Sequence, residues 1–162
     1  MIVGVIGPSK LSGKENLKNY NKLAKILAKN EIIISPDKKS TAELFTKYYK
    51  ENKGHKILGI DYKNDTDNGY IGLDREMCDE LIDCNSWENQ PKELVKRSKH
   101  LIVLGLSVGV TWEICLTKFY WPDPKSRVFV IKELCKDKFP RYLEKSLPIE
   151  YISIKNLKLR IA

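Results

Sequence analysis

"LGLSVGVTWEI", Leu104–Ile114, sets the architecture expected of this chain. It closes the most apolar strand candidate, His100 to Leu106, and runs into helical spacing from Val110 to Tyr120. An apolar run that ends in a glycine-bearing turn and passes straight into a helix is a unit of an open parallel sheet. The turn presents helix-start N–H groups at the carboxyl edge of the sheet, where such proteins hold anions. Ser107, Val108, Gly109, Val110 and Thr111 are therefore candidate phosphate contacts. Glu113, about one turn into the helix, is a candidate catalytic carboxylate. An acid near a helix start also complements the helix dipole with no ligand present, so spacing leaves both roles open.

Working outward, "MIVGVIG" (Met1–Gly7) reads as a buried first strand ending at glycine and proline. Ser12 and Glu15 have capping-box spacing before an amphipathic helix through Leu17, Tyr20, Leu23 and Leu27. "EIIIS" (Glu31–Ser35) is a second strand stopped by Pro36, and Ser40 with Glu43 opens a second helix that reaches Asn52. "KILGID" (Lys56–Asp61) is a third strand. The spacing further predicts a long loop over Tyr62–Arg75, a strand over Asp79–Cys84, a helix over Pro91–Ser98, a strand over Arg127–Ile131, a last helix over Phe139–Lys145 and a last strand in "IEYISI". This alternation implies an α/β, Rossmann-like three-layer sandwich: a mostly parallel sheet, helices on both faces, and a ligand cleft at the carboxyl ends of the first and fifth strands.

Residues 1–162 fit one domain. Lys+Arg of 29 against Asp+Glu of 21 gives a net charge of +8, which favours anionic partners. The lysines are scattered rather than gathered in an arm, so a small ligand is expected ahead of nucleic acid. No membrane-length apolar run or signal-peptide pattern occurs, and a cytoplasmic protein is expected. Cys78, Cys84, Cys115 and Cys135 form no C-x-x-C pair and have two histidines for company, so no metal site, cofactor or disulfide scaffold is signalled. His55 and His100 lack a nucleophile at triad spacing. Trp87 and Trp112 could stack a base, although packing is the commoner use of tryptophan.

"GPSKLSGKE" (Gly7–Glu15) departs from a P-loop: five residues separate its glycines instead of four, and Glu15 stands where magnesium needs a hydroxyl. What survives is a turn whose backbone, with Gly7, Pro8, Ser9 and Lys10, could contact a phosphate or ribose. Ser35, closing the second strand, is a further candidate.

In order, "VGVIGPS", the strand–helix alternation, "GLSVGVTWE" and "SRVFVI" resemble the LOG-like (SLOG) group of Rossmann-type nucleotide-binding proteins, formerly called lysine-decarboxylase-like. The resemblance is closest to the branch similar to molybdenum-cofactor carrier proteins. That group carries P-G-G-x-G-T-x-x-E after a strand; here Gly109 and Glu113 match, while Leu106 and Ser107 replace the paired glycines and Val110 replaces threonine. "SPDKKST" stands in place of the group's double-glycine loop. The arginine of its base-releasing enzymes maps near Gln90, and Arg97 falls two turns too late. The resemblance implies a nucleotide-sized ligand, a homo-oligomer, and a binder or carrier more than a hydrolase. The alternatives are a nucleoside-monophosphate phosphoribohydrolase using Glu113, a nucleoside deoxyribosyltransferase-like enzyme using Asp83 or Glu113, and, from charge alone, an RNA-binding protein.

Overall fold

The computed structural model describes residues 1–68 and 72–161. Seven strands, β1 (Ile2–Ile6), β2 (Glu31–Ile34), β3 (Lys56–Asp61), β4 (Glu80–Asp83), β5 (His100–Val103), β6 (Val128–Ile131) and β7 (Ile149–Ile152), form one sheet. Its order is β4-β3-β2-β1-β5-β6-β7, and all six neighbouring pairs are parallel. The expected sheet is thus parallel throughout. Strand order reverses between β1 and β5, where Val3 pairs with His100 and Ile6 with Val103. Connections from β1 run one way along the sheet and those from β5 the other, so the helices after these two strands diverge and leave a crevice at their carboxyl ends.

The layers follow from period-two alternation in strands buried on both faces. Val3, Val5, Ile32, Ile34, Ile102, Phe129 and Ile131 pack with helices α1 (Leu17–Leu27) and α2 (Thr41–Glu51). The intervening Ile33, Leu58, Leu101, Val103, Val128 and Val130 face α3 (Gln90–Arg97) and α4 (Val108–Tyr120). Leu143 and Leu147, from and just past α5 (Arg141–Ser146), join the α3/α4 side. A short α6 (Ile154–Leu157), which the sequence reading omits, places Ile154 and Leu157 on the α1 side.

Several local expectations are corrected. Ser12 and Glu15 do bond each other, through both the backbone N–H and the hydroxyl of Ser12, but they close the loop before α1; Asn16 is the residue whose side chain accepts the Asn19 N–H at the helix start. Ser40 does cap α2, accepting from the Glu43 N–H at 3.1 Å, while the Glu43 carboxylate accepts the Lys39 N–H. α4 starts at Val108, two residues early, because the Ser107 hydroxyl caps it by accepting the Val110 N–H at 3.2 Å. Glu113 therefore lies in the second turn, where the dipole-complementing role weakens.

The long-loop expectation over 62–75 includes residues 69–71, which lie outside the described residues. Its described end is pinned: Leu73 bridges to Asp37, Lys38 donates to the Gly72 carbonyl, and Asp74 donates to that of Pro36. Arg75 forks onto buried Asp61 at the end of β3, with contacts of 2.7, 3.0 and 3.1 Å. The scattered lysines partly converge in space, since Lys22, Lys25, Lys29, Lys155 and Lys158 border a groove between α1 and α6 beside Ile26, Ile154 and Ile161. No helix among the described residues is long and apolar enough to cross a membrane.

Candidate functional site

A cavity of about 420 Å³ opens at the β1/β5 switch point. Its wall is assembled from five places: the end of β1 (Val5, Ile6, Gly7, Ser9), the turn after β2 (Ser35, Asp37, Ser40), the start of α2 (Ala42), the start of α3 with its preceding turn (Trp87, Gln90, Pro91), and the first turns of α4. From α4 come Ser107, Val108, Gly109, Val110, Trp112 and Glu113. Gly109 and Glu113 are four apart and so share one helical face.

Of the residues singled out from sequence, Gly7, Ser9, Ser35, Ser107, Val108, Gly109, Val110 and Glu113 meet at this cavity. Pro8, Lys10 and Thr111 are not part of its lining. Pro8 packs against Gly105, its carbonyl accepts from both the N–H and the hydroxyl of Thr41, and with Lys10 it borders a separate cavity. Thr111 turns its hydroxyl back onto the Ser107 carbonyl at 2.9 Å. Asp83 is spent locally, accepting the Asn85 N–H at the exposed end of β4, and does not line the cavity. Leu106 packs toward the α3/α4 core and leaves the cavity open.

The two glycines differ in their reason for being there. A Cβ on Gly7 would stand 2.2 Å from the Thr41 hydroxyl and 3.1 Å from Leu104, so packing alone demands glycine. A Cβ on Gly109 would meet only the Ser107 hydroxyl, at 3.9 Å. The protein's own packing gives no reason for glycine at 109.

Titratable groups in the wall are acidic, and no lysine or arginine lines it among the described residues. Burial pushes the Glu113 carboxyl up to about 8, with the Asp37 charge adding to the rise. Burial likewise raises Asp37, opposed by the Ser35 hydroxyl, which donates to Asp37 Oδ2 at 3.0 Å. The shift favours the protonated form of Glu113, and an ionised nucleophile or base there carries a desolvation cost. Gln90 is 7% exposed, and its Nε2 has no hydrogen-bond partner among the described residues. Trp87 and Trp112 stand with ring centroids 5.8 Å apart and planes at 57°, each about two-fifths exposed.

Sequence reasoning missed Asp37 and treated Gln90 only as the place where an arginine is lacking. The signal for both was positional: one follows the second strand's end and the other opens the helix before the glycine turn. Arg97 pairs with Glu93 at 3.3 Å, away from the cavity. His100 is buried, accepts the Arg127 N–H on Nδ1 and packs on Phe129, a structural role. No group of metal-ligating side chains occurs among the described residues.

With this geometry in place, the solved structures are informative. A molybdenum cofactor binding protein from Rippkaea orientalis superposes with a TM-score of 0.70 at 20% identity, over 96% of this chain and 91% of its own. The molybdenum cofactor carrier protein from Chlamydomonas reinhardtii gives 0.71 at 18% identity, over 99% and 94%. The chain has the fold of the molybdenum-cofactor carriers. The structural-genomics target TM1055 shares it as well, with a TM-score of 0.68 at 14% identity over 99% and 97%. No protein-family model and no curated protein matches the sequence. The resemblance drawn from "GLSVGVTWE" thus agrees with the neighbours that the whole fold finds.

Proposed function

We propose that the protein binds a small phosphorylated molecule of nucleotide size in the β1/β5 cavity and holds or carries it without turnover. The observation that carries this reading is the open face of Gly109 at the switch point, where a helix start and a strand end converge on a cavity of ligand dimensions. The N–H groups around Gly7–Ser9 and Ser107–Gly109 would hold the phosphate, and Trp87 or Trp112 would cover the rest. The Rippkaea and Chlamydomonas proteins are described as binding or carrying the molybdenum cofactor, which places that compound among the ligands to test. Self-association through exposed Val108, Trp112 and Phe119 of α4 belongs to the same reading, because that helix carries apolar side chains on more than its buried face.

A second reading is cleavage of an N-glycosidic bond in a nucleoside monophosphate. It is favoured by the neutral Glu113, a carboxylic acid poised to protonate a leaving base. Against it stands a wall with no lysine or arginine, among the described residues, to neutralise the phosphate in the transition state. A glycosyl-transfer nucleophile would need Glu113 ionised, and Asp83 is placed elsewhere. Binding of RNA is supported by net charge alone.

Calorimetric titration of a nucleoside-monophosphate panel, with chromatography for released base, separates these readings. Gly109→Leu keeps its melting temperature within a few degrees and loses binding. Equal binding by the variant refutes the site. Base release that Glu113→Gln abolishes replaces the carrier with the hydrolase.

A further inference from the structure

A groove of about 700 Å³ runs between α1 and α6, on the face of the sheet away from α4, and shares no lining residue with the switch-point cavity. Its α1 side carries Lys22, Lys25, Ile26 and Lys29. Their i, i+3, i+4, i+7 spacing aligns them on one helical face for about 10 Å. Lys155 and Lys158, also one turn apart, border the groove from the α6 side. Its floor is Ile154 and Ile161, 5% and 4% exposed, beside half-buried Ile26. The aliphatic stems of the lysines extend that apolar surface upward on both sides.

The charge around this floor is unbalanced. All five lysines are exposed, and none forms an ion pair among the described residues. The acid in the wall, Glu133, is already engaged, accepting the Ile154 N–H at 3.0 and 3.1 Å. Arg160, close by in sequence, is by contrast paired with Glu150 at 2.6 Å. Gathered ammonium groups repel one another until counter-charge arrives.

We propose that the α1/α6 groove docks an acidic amphipathic helix of a partner protein. The partner's apolar stripe lies on the isoleucine floor, and its carboxylates meet the two lysine rows.

Shape and chemistry select this occupant. The isoleucines are recessed between lysines, so a flat bilayer meets the ammonium groups and misses the floor. A helix, convex and about 10 Å across, reaches both. Nucleic acid would pair with the lysines, yet among the described residues the lining has no aromatic side chain to stack a base and no arginine to fork onto phosphate. A second copy of the same face, related by a two-fold axis, sets lysine against lysine.

Fluorescence anisotropy tests the docking with the full chain and a labelled helical peptide of about 15 residues, leucines at i, i+3, i+4 and i+7 and glutamates along both sides of that stripe. A second peptide has the same composition with its leucines dispersed. The patterned peptide binds at least about tenfold more tightly than the dispersed one, and its binding weakens as salt rises. Lys22→Ala with Lys29→Ala, at exposed positions where alanine keeps the helix, weakens it about fivefold or more. Lys47→Ala with Lys145→Ala, equal in charge but exposed outside the groove, changes it by less than about twofold.

Equal binding of the two peptides, equal effects of the two double variants, or no binding by either peptide overturns the docking site. Phosphatidylglycerol vesicles and an RNA oligonucleotide are titrated alongside. If either binds more tightly than the patterned peptide and is weakened by the groove variants alone, the groove belongs to that occupant and the partner helix is refuted. Because the groove and the switch-point cavity share no residue, each of these results is read independently of nucleotide binding.

Discussion

Replacing Glu113 by glutamine removes a titration that shapes how stability depends on pH. The carboxyl rises from 4.5 to about 8 in the folded protein, through burial first and the Asp37 charge second. Between those values the folded chain keeps a proton that the unfolded chain has released, so stability falls as pH climbs and the loss is complete above about 8. Below the unfolded value both states are protonated and the penalty vanishes. At 1.36 kcal/mol per unit the full difference sets a ceiling of about 5 kcal/mol. Water entering the open cavity screens part of it, which leaves about 2–3 kcal/mol as the expected effect. Glu113→Gln is neutral throughout and nearly isosteric. Urea denaturation followed by tryptophan fluorescence gives native and variant stabilities at about pH 5, 7 and 9. The variant stays within about 1 kcal/mol of the native protein near pH 5 and exceeds it by the stated amount near pH 9. Other titrating groups cancel in the difference. A difference that does not change with pH refutes the placement of Glu113 in a poorly solvated wall.

Two further perturbations test the frame around the cavity. Arg75→Ala strands the buried Asp61 carboxylate and lowers stability by about 2–4 kcal/mol in the same urea assay; a loss under about 1 kcal/mol contradicts the two-pronged pairing. Ser107→Ala deletes the acceptor of the Val110 N–H and costs about 1 kcal/mol. Hydrogen exchange then speeds at the first turn of α4, and unchanged exchange there removes the cap from the account.

The sheet was readable from sequence because strands buried on both sides must be continuously apolar, as in Ile32 to Ile34 and Leu101 to Val103, and each is followed by its own stop signal. The third strand was bounded to the residue, Lys56 to Asp61. Helix starts were less legible where two hydroxyl or amide residues compete. Ser12 has the right partner three residues on, yet Asn16 takes the cap, and Ser107 starts α4 earlier than apolar spacing implies. α6 spans four residues, too short for periodicity to register. Residues of the glycine turn could be singled out because the strand-to-helix transition marks them, and the structure puts Ser107 to Val110 in the cavity wall. Asp37 was not singled out, since it reaches the cavity wall only through the tertiary placement of the turn after β2, which no local pattern encodes.

The neutral wall residue and the raised acid belong to one electrostatic arrangement. A cation at position 90 would lie in the same cavity wall as Glu113 and pull its carboxyl toward the ordinary range, preparing it to act as a base beside a neutralised phosphate. Gln90 supplies a dipole and no charge, so burial dominates and the Glu113 carboxyl is pushed up. The ligand proposed for this cavity would therefore meet hydrogen-bonding groups instead of a field built to stabilise developing charge. That difference separates holding a molecule from breaking one. On the proposed reading it would rest on one uncharged side chain at the start of α3 as much as on the glycine turn.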